Sequence, residues 1–291
     1  MKNDARAALI FLTPAMLVIA FFFLVPAAAA FILSITDFDI YAVGDFHNVR
    51  LVGLTNYTDL WHNARFWRAL LNTIYFTLVG GPLTVIVSLA AALLLNAKTA
   101  HWKPFFRTVF FAPVVTTIVA VAIVWKYLYH PRFGLLNRAL AIFHIAPIDW
   151  LGDTKWAMPA IILLSVWKTF GYTMIIFVAG LQGIPEELYE SARIDGASAW
   201  QQFRHVTMPM LAPTFLFVGV ITAISALQFF AEPYVMTRGG PLDATLSMVM
   251  LMYEQGFRWW NMGIGAAIAF VLFIFIIAGT IAQFWVQRRR A

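Results

Sequence analysis

Four polar side chains lie on one face of a long apolar stretch in the middle of the chain. They stand at i, i+3, i+4 and i+7, the spacing that brings side chains together on one side of an α-helix. Their chemistry is hydrogen bonding and one positive charge, which suits contact with a polar solute. The four are Ser165, Lys168, Thr169 and Tyr172.

A second apolar stretch repeats this arrangement with Thr222, Ser225, Phe229 and Glu232 at i, i+3, i+7 and i+10. At 1.5 Å of helix rise per residue, Lys168 lies about 18 Å from Trp156, and Thr222 about 14 Å from Pro213. The two faces are thus at matching depth and could line a cavity for a small polar solute. Aromatic rings offer a flat contact surface, which favours Tyr172 and Phe229 as contacts.

Other interpretations of these residues stay open. Serine and threonine also hydrogen-bond between packed membrane helices, so the hydroxyls are equally compatible with helix packing. Lys168 is too deep to reach the membrane surface, so its charge must face protein or water. It is either half of a structural ion pair or a contact for the solute.

The chain contains no recognisable catalytic or metal-binding motif. Its six histidines are scattered without an H-E-x-x-H pattern, and it has no cysteine. It also has no G-x-x-x-x-G-K-[ST] loop for ATP. We therefore predict no catalytic residue, no metal and no cofactor in this chain, and no enzymatic activity.

Composition places the chain in a membrane. Of 291 residues, 62% are hydrophobic and 12% are charged, with a mean hydropathy of +0.78. A soluble domain carries about twice that share of charge. The net charge of +6 fits the basic bias of cytoplasmic loops, so we predict no nucleic-acid partner. The start resembles a signal peptide, but its apolar run continues to Ile35 and is too long to be one.

Long, non-alternating apolar runs predict an all-α polytopic membrane protein with six transmembrane helices in a single transmembrane domain over residues 1–291. Basic clusters beside the span ends place both termini in the cytoplasm. Residues 61–70 and 254–263 are predicted to be interfacial helices or anchors, and 237–245 a turn. The predicted spans are about 8–35, 70–96, 107–128, 156–181, 211–231 and 261–286.

The loop between the fourth and fifth spans, residues 182–210, is unusually polar. Pro185 and the acidic residues after it begin a helix, Gly196 ends it, and Asp195 or Ser198 caps a second one. The loop therefore reads as helix–turn–helix. Its apolar residues are predicted to pack towards the bundle, and they are Leu188, Ala192, Trp200, Phe203 and Val206.

This loop resembles the conserved EAA loop of ABC-importer permeases, E-A-A-x-x-D-G-A-x(5)-F-x-x-[IV]-x-[LM]-P. Ser191 stands where alanine is usual, and Met208 where leucine is common. The matching residues are Glu190, Ala192, Asp195, Gly196, Ala197, Phe203, Val206, Met208 and Pro209.

The resemblance extends over nearly the whole chain. "FFRTVFFAPVV", "VWKTFGYTMIIFVAGLQGIPEELYESARIDGA" and "TRGGPLDAT" are similar to the carbohydrate subfamily, which includes maltose, multiple-sugar and glycerol-3-phosphate importers. "VGLTNY" is similar to the first of the two non-identical permeases in such systems, although the extra N-terminal spans of the maltose type are missing.

The resemblance implies a type I ABC-importer permease fold in the bacterial inner membrane, surrounded by lipid. It implies three protein partners: a second homologous permease, an ATP-binding-cassette ATPase dimer that binds ATP and Mg, and an extracytoplasmic solute-binding protein. The implied cargo is an oligosaccharide, a disaccharide or a glycerol-phosphate-like solute. An ion-coupled secondary transporter is the main alternative, and it would need carboxylates near the midplane. A membrane enzyme or scaffold is a third.

Two sets of residues carry the expected function. Glu190 is expected to pair with a basic residue of the ATPase, and Gly196 to supply the bend that fits its cleft. The full set for ATPase coupling is Glu190, Ala192, Asp195, Gly196, Ala197, Phe203 and Pro209. The set for the substrate path is Ser165, Lys168, Thr169, Tyr172, Thr222, Ser225, Ala226 and Phe229.

Overall fold

The computed structural model describes residues 2–43, 49–97 and 101–288, and for 2–10, 43 and 288 it describes the backbone alone. Several charges behind the predicted orientation therefore lie outside the described residues or side chains. These are Lys2, Asp4, Arg6, Asp45, Lys98, Arg288, Arg289 and Arg290. The described residues form helices and turns, with one isolated bridge between Thr36 and Leu51.

The helices follow one another along the chain with short connections. They are α1 (Lys2–Ile19), α2 (Val25–Ser34), α3 (Thr55–His62), α4 (Ala64–Asn96), α5 (Lys103–Val115), α6 (Ile118–Leu128), α7 (Leu135–Ile142), α8 (Ala157–Gln182), α9 (Glu186–Ile194), α10 (Ala199–Gln202), α11 (Met208–Met210), α12 (Ala212–Leu227), α13 (Ala231–Met236), α14 (Met248–Tyr253) and α15 (Met262–Arg288). One-turn π-helices follow α1, α10 and α14, at Ala20–Leu24, Phe203–Thr207 and Glu254–Arg258.

Among the described residues, five continuous helical segments are long and apolar enough to cross a membrane. They are Phe11–Ser34, Ala64–Asn96, Ala157–Gln182, Ala212–Met236 and Met262–Gln287. A sixth candidate is the bent pair α5 and α6. Segments of this kind lie at all six predicted positions, and the structure makes two of them different from the prediction.

The first difference is at the predicted span 107–128, which is two helices meeting at 99°. Pro113 stands in the last turn of α5, where it provides no N–H donor. Thr116 and Thr117 then adopt extended backbone (ψ 151° and 137°), which ends α5 before α6 begins. Thr116 Oγ1 donates to Pro113 O at 2.6 Å and closes the break.

The second difference is at the predicted fifth span, 211–231. Helix α12 ends at Leu227, the chain turns at Gln228–Phe230, and α13 continues to Met236. Glu232, which the sequence placed outside the membrane, therefore lies within the continuous candidate span Ala212–Met236. The predicted span, which ended at residue 231, missed this carboxylate by one position.

The chain divides into two compact units. The first combines the residues up to Phe66 with Leu251–Phe273. In it, Asn56 Nδ2 donates to Ser34 O at 2.9 Å and to Thr36 O at 2.8 Å, and Asn56 is buried. A side chain at Gly263 would overlap Thr36 O, so only glycine fits where Gly263 N donates to Phe38 O at 3.0 Å.

The predicted interfacial helices are not separate elements. Residues 61–70 contain the end of α3 and the beginning of α4, and 254–263 contain a π-helix followed by the start of α15. Within the first unit they provide an ion pair instead. Arg65 Nη2 lies 3.0 Å from the buried Glu254 carboxylate, and the Arg65 guanidinium also lies over the Trp259 ring at 5.5 Å.

The second unit comprises Trp67–Met250 together with the residues from Ile274 onward. Helix α8 is the central helix of this unit, and half of its most apolar stretch is buried. Helices α4, α5 and α12 pack against it. The approach of α5 is very close, because a Cβ at Gly171 would overlap the carbonyl oxygen of Phe110. The backbones of α5 and α8 are thus in direct contact at Gly171.

The predicted turn at 237–245 is more than a connector. Thr245 and Leu246 are fully buried, and Thr245 Oγ1 lies 2.6 Å from Thr237 Oγ1. Asn72 Nδ2, on α4, donates to Asp243 O at 2.8 Å and to Leu246 O at 3.0 Å. The turn is therefore fixed to the side of α4.

Candidate functional site

A cavity of about 650 Å³ opens in the second unit between α4, α8, α12 and α13. Helical spacing predicted two of its walls, and the family resemblance added Ala226. Every residue predicted for the substrate path lines it, and these are Ser165, Lys168, Thr169, Tyr172, Thr222, Ser225, Ala226 and Phe229.

The wall from α8 presents polar groups at regular intervals because its residues are one helical turn apart. Tyr172 is 51% exposed, so its ring is open to the cavity. Thr169 Oγ1 donates to Ser165 O at 2.8 Å, within its own helix. This hydrogen bond stays within α8. The α8 wall can therefore offer the Tyr172 ring and its hydroxyls to a solute.

The wall from α12 differs from the prediction at Phe229. That ring is buried at 4% exposure and stacks on Phe76 of α4, with centroids 3.9 Å apart and planes 4° apart. One face of Phe229 is therefore covered, and Tyr172 is the more open of the two predicted aromatic contacts. Within the described chain, the hydroxyls of Ser165, Thr222 and Ser225 form no hydrogen bond, which disfavours helix packing as their role.

The wall from α4 was missed by sequence reasoning. Its residues are Phe76, Gly80, Gly81 and Thr84. A weak signal was present, since two adjacent glycines before a proline are unusual inside an apolar helix. Gly80 and Gly81 leave open space at the cavity because they lack side chains, and the Thr84 hydroxyl donates to Gly80 O at 2.9 Å.

Lys168 holds the end of a neighbouring helix. Its Nζ donates to Pro113 O at 2.8 Å and to Val114 O at 3.1 Å. These are carbonyls in the last turn of α5, where the helix breaks and the usual i+4 N–H donors are lost. Lys168 reaches them because Gly171, one turn further along α8, lets α5 approach. Of the open interpretations for Lys168, the structure favours a structural role.

Glu232, on α13, lines the same cavity as Lys168. Sequence reasoning put it on the right helix face but not in the site, because the predicted span ended one residue earlier. Among the residues that line the cavity, Lys168 is the basic side chain and Glu232 the acidic one. The cavity thus contains one charge of each sign.

The first arm of the polar loop 182–210 is α9, and it ends as the sequence predicts. Gly196 has φ +76°, a left-handed conformation that favours glycine. Gly196 N donates to Arg193 O at 3.1 Å, and Ala197 N to Ala192 O at 2.9 Å. This pair of bonds is the Schellman motif, which satisfies the last carbonyls of a helix.

The second arm is capped by Ser198 rather than Asp195. Ser198 N donates to Gln201 Oε1 at 2.7 Å, and Gln201 N donates to Ser198 Oγ at 3.4 Å. This reciprocal pair is a capping box. The arm then continues through the π-helix Phe203–Thr207 to Pro209 in the first turn of α11.

The two arms are joined by a contact that sequence reasoning missed. The hydroxyl of Tyr189 lies 2.9 Å from Thr207 Oγ1, and Tyr189 packs against the buried core of the unit. The prediction that Leu188 and Trp200 pack inward is wrong, since they are 39% and 65% exposed. Ala192, Phe203 and Val206 are half-buried, as predicted. Helix α9 is thus rotated so that Tyr189 faces the bundle.

The remaining motif residues lie on the outer side of the loop. The side chain of Glu190 is 61% exposed, with only a loose ion pair to Arg193 at 3.9 Å. Asp195, Gly196 and Pro209 are exposed as well. A groove of about 280 Å³ runs beside them, and it is lined by Ala192, Asp195, Gly196, Ala197, Gln201, Gln202, His205 and Val206.

Known proteins are similar to this chain in sequence and in fold. A lactose transport system permease protein of Rhizobium radiobacter is 34% identical over 97% of this chain and 94% of its own length. A trehalose/maltose transport system permease protein of Thermococcus litoralis is 32% identical over 99% of this chain and 96% of its own. The crystal structure of a bacterial alginate ABC transporter, in complex with a periplasmic protein that binds an alginate pentasaccharide, contains a chain with the same fold. Its TM-score is 0.81 at 21% identity, over 99% of this chain and 96% of that one.

The family assignment follows from residues 62–291, which include the cavity and the polar loop. They match the model of the family described as "Binding-protein-dependent transport system inner membrane component". This match covers well over half of the chain, and the two permeases above agree with it. The chain belongs to this family of inner membrane components of binding-protein-dependent transport systems.

Proposed function

We propose that this chain is one of two permease subunits in an ATP-driven importer, and that its cavity is part of the path for a sugar or sugar-like solute. The observation that carries the proposal is the cavity itself. It combines free hydroxyls, an open tyrosine ring and a volume of about 650 Å³ in one place. Ligand sites of this size hold small molecules of a few hundred daltons, and the named relatives transport lactose and trehalose or maltose.

The polar loop receives the energy for transport in this proposal. The chain has no ATP-binding loop of its own, so the energy must come from a partner ATPase. The loop presents Glu190, Asp195 and Gly196 outward, on arms held to each other by the Tyr189–Thr207 contact. A rigid body of this kind can pass a movement of the ATPase to the spans. The loop and both termini then lie on the cytoplasmic side.

Transport follows from a change of access around the cavity. ATP-driven closure of the ATPase dimer moves the loop, and the spans rock between inward-facing and outward-facing states around a fixed site. The extracytoplasmic binding protein delivers the solute from the other side. In this proposal a second permease completes the path.

Uptake by the Tyr172→Ala variant tests this proposal. The change removes an open ring from the cavity wall without touching the buried core, so ATP-driven uptake should fall by about tenfold, one lost stacking contact of about 1.4 kcal/mol. Tyr172→Phe keeps the ring and should retain most of the uptake. Co-purification with the partner subunits should be unchanged in both. Unchanged uptake kinetics in Tyr172→Ala would place the path elsewhere.

The energy source is tested separately. Depleting ATP should abolish uptake, and dissipating ion gradients at constant ATP should not. The opposite pattern would support the ion-coupled alternative, for which Glu232 would then be the candidate carboxylate.

A further inference from the structure

We infer that Glu232 sets the charge selectivity of the cavity, which then takes neutral or amino sugars and rejects acidic ones. The inference rests on the proposed function, since it assigns a substrate class to the same cavity. It starts from the two opposite charges that line the cavity, Lys168 and Glu232. What matters is which of them is available to a solute.

Lys168 is largely occupied. An ammonium has three N–H donors, and two of them are directed at Pro113 O and Val114 O. Moving the ammonium towards a solute would break both bonds. Pro113 O would keep its bond from Thr116, and Val114 O would lose the donor that Lys168 provides. An incoming sugar carboxylate would therefore compete with the backbone for this lysine.

Glu232 has fewer partners by contrast. Its side chain lines the cavity and forms no ion pair and no hydrogen bond with another described side chain. An ionised carboxylate has two oxygens that can only accept hydrogen bonds. It can therefore take two sugar hydroxyls, or one protonated amine, and it repels a second carboxylate.

The neighbouring groups fit the same class of solute. Ser225 and Thr222, on the preceding turns of the same polar face, have free hydroxyls that can donate or accept. Tyr172 offers a ring across the cavity from them. Hydroxyl donors, a carboxylate acceptor and an aromatic ring together suit an uncharged sugar ring. The charges of Lys168 and Glu232 sum to zero, so the cavity has no net charge to neutralise an anionic one.

A protection experiment tests the inference without knowledge of the natural cargo. The chain has no cysteine, so Thr222→Cys introduces a single thiol into the cavity wall. The rate of maleimide labelling of this chain, read by mass spectrometry in the purified importer, reports occupancy. The probes are β-1,4-linked disaccharides of glucose, glucosamine and glucuronate, which share a scaffold and differ in charge.

With Glu232 present, the glucose and glucosamine disaccharides should protect the thiol, and the glucuronate disaccharide should need at least about tenfold higher concentration. In the Glu232→Gln background, the affinity of the glucuronate disaccharide should rise about tenfold, and that of the glucosamine disaccharide should fall. Glu232→Asp should restore the original order. Gln228→Ala, a change without charge in the same wall, should move all three probes together.

The outcomes separate the inference from the proposed function. If the three probes protect equally with Glu232 present, or if Glu232→Gln leaves their order unchanged, the selectivity assigned to Glu232 is wrong while the sugar path stands. If no disaccharide protects in any background, the sugar path fails, and the selectivity fails with it.

Discussion

The contact between Lys168 and the broken end of α5 makes a quantitative prediction. In Lys168→Met, the carbonyls of Pro113 and Val114 lose their charged donors at 2.8 and 3.1 Å. A hydrogen bond to a charged group contributes about 1.5–3 kcal/mol. Water in the cavity replaces part of this, and removing the lysine also relieves the cost of a partly buried charge. We therefore expect a net loss of about 2 kcal/mol in local stability.

That loss should appear in α6, which follows the broken end of α5 and packs against α13 and α8. Ala122, on α6, is fully buried, so a cysteine there is labelled only when this region opens. A change of about 2 kcal/mol corresponds to about thirtyfold in the opening equilibrium, and hence in the rate of maleimide labelling of Ala122→Cys. The measurement is made on the purified importer, with labelling of this chain followed by mass.

Two controls distinguish the contact from general effects. Lys168→Arg keeps a charged donor group and should label within a few-fold of the parent. Lys155→Met removes an exposed lysine by the same substitution and should not change the rate. Equal labelling of Lys168→Met and its parent would refute the role of Lys168 at the helix break. That result would instead favour Lys168 as a direct contact for the solute.

Three further changes test the packing and the loop. Gly171→Ala should destabilise the chain by about 1–3 kcal/mol in thermal unfolding, because its Cβ would overlap Phe110 O. Gly279→Ala is the control: its Cβ meets nothing within 4 Å, so it should be neutral or slightly stabilising. Gly196→Ala should cost about 1 kcal/mol, since φ is +76° there, and should weaken ATPase co-purification. Tyr189→Phe should lower ATP-driven uptake more than it lowers unfolding temperature, because it frees the arms of the loop from each other; equal loss in both would show only a stability effect.

The sequence predicted those parts of the site that depend on a single helix. The α8 residues from Ser165 to Tyr172 share a face because of helical periodicity alone, and they line the cavity as expected. Gly196 ends α9 because its conformation is a local property of glycine. Local rules sufficed for both.

The parts that were missed depend on contacts between distant segments. The partners of Lys168 are carbonyls more than fifty positions earlier, and they are exposed only because α5 breaks after Pro113. The wall from α4 is formed by glycines, which show no polar pattern. Glu232 was misplaced since hydropathy cannot show that α13 continues α12 beyond a short turn. Tyr189 faces inward because of its bond to Thr207, which helical spacing does not reveal.

The most direct test of the coupling between loop and cavity is the effect of ATP on a thiol in the cavity. Thr222→Cys in the complete importer, reconstituted in vesicles, is labelled by a membrane-impermeant maleimide added from the side of the binding protein. We predict that ATP changes the labelling rate by about tenfold or more. A tenfold change corresponds to a shift of about 1.4 kcal/mol in the equilibrium between closed and open access to the cavity. Glu190→Arg should abolish this effect, and Glu187→Arg, the same charge change on α9 outside the motif, should retain it. A labelling rate that ignores ATP, or an ATP effect that survives Glu190→Arg, would contradict the proposed path of energy from the loop to the cavity.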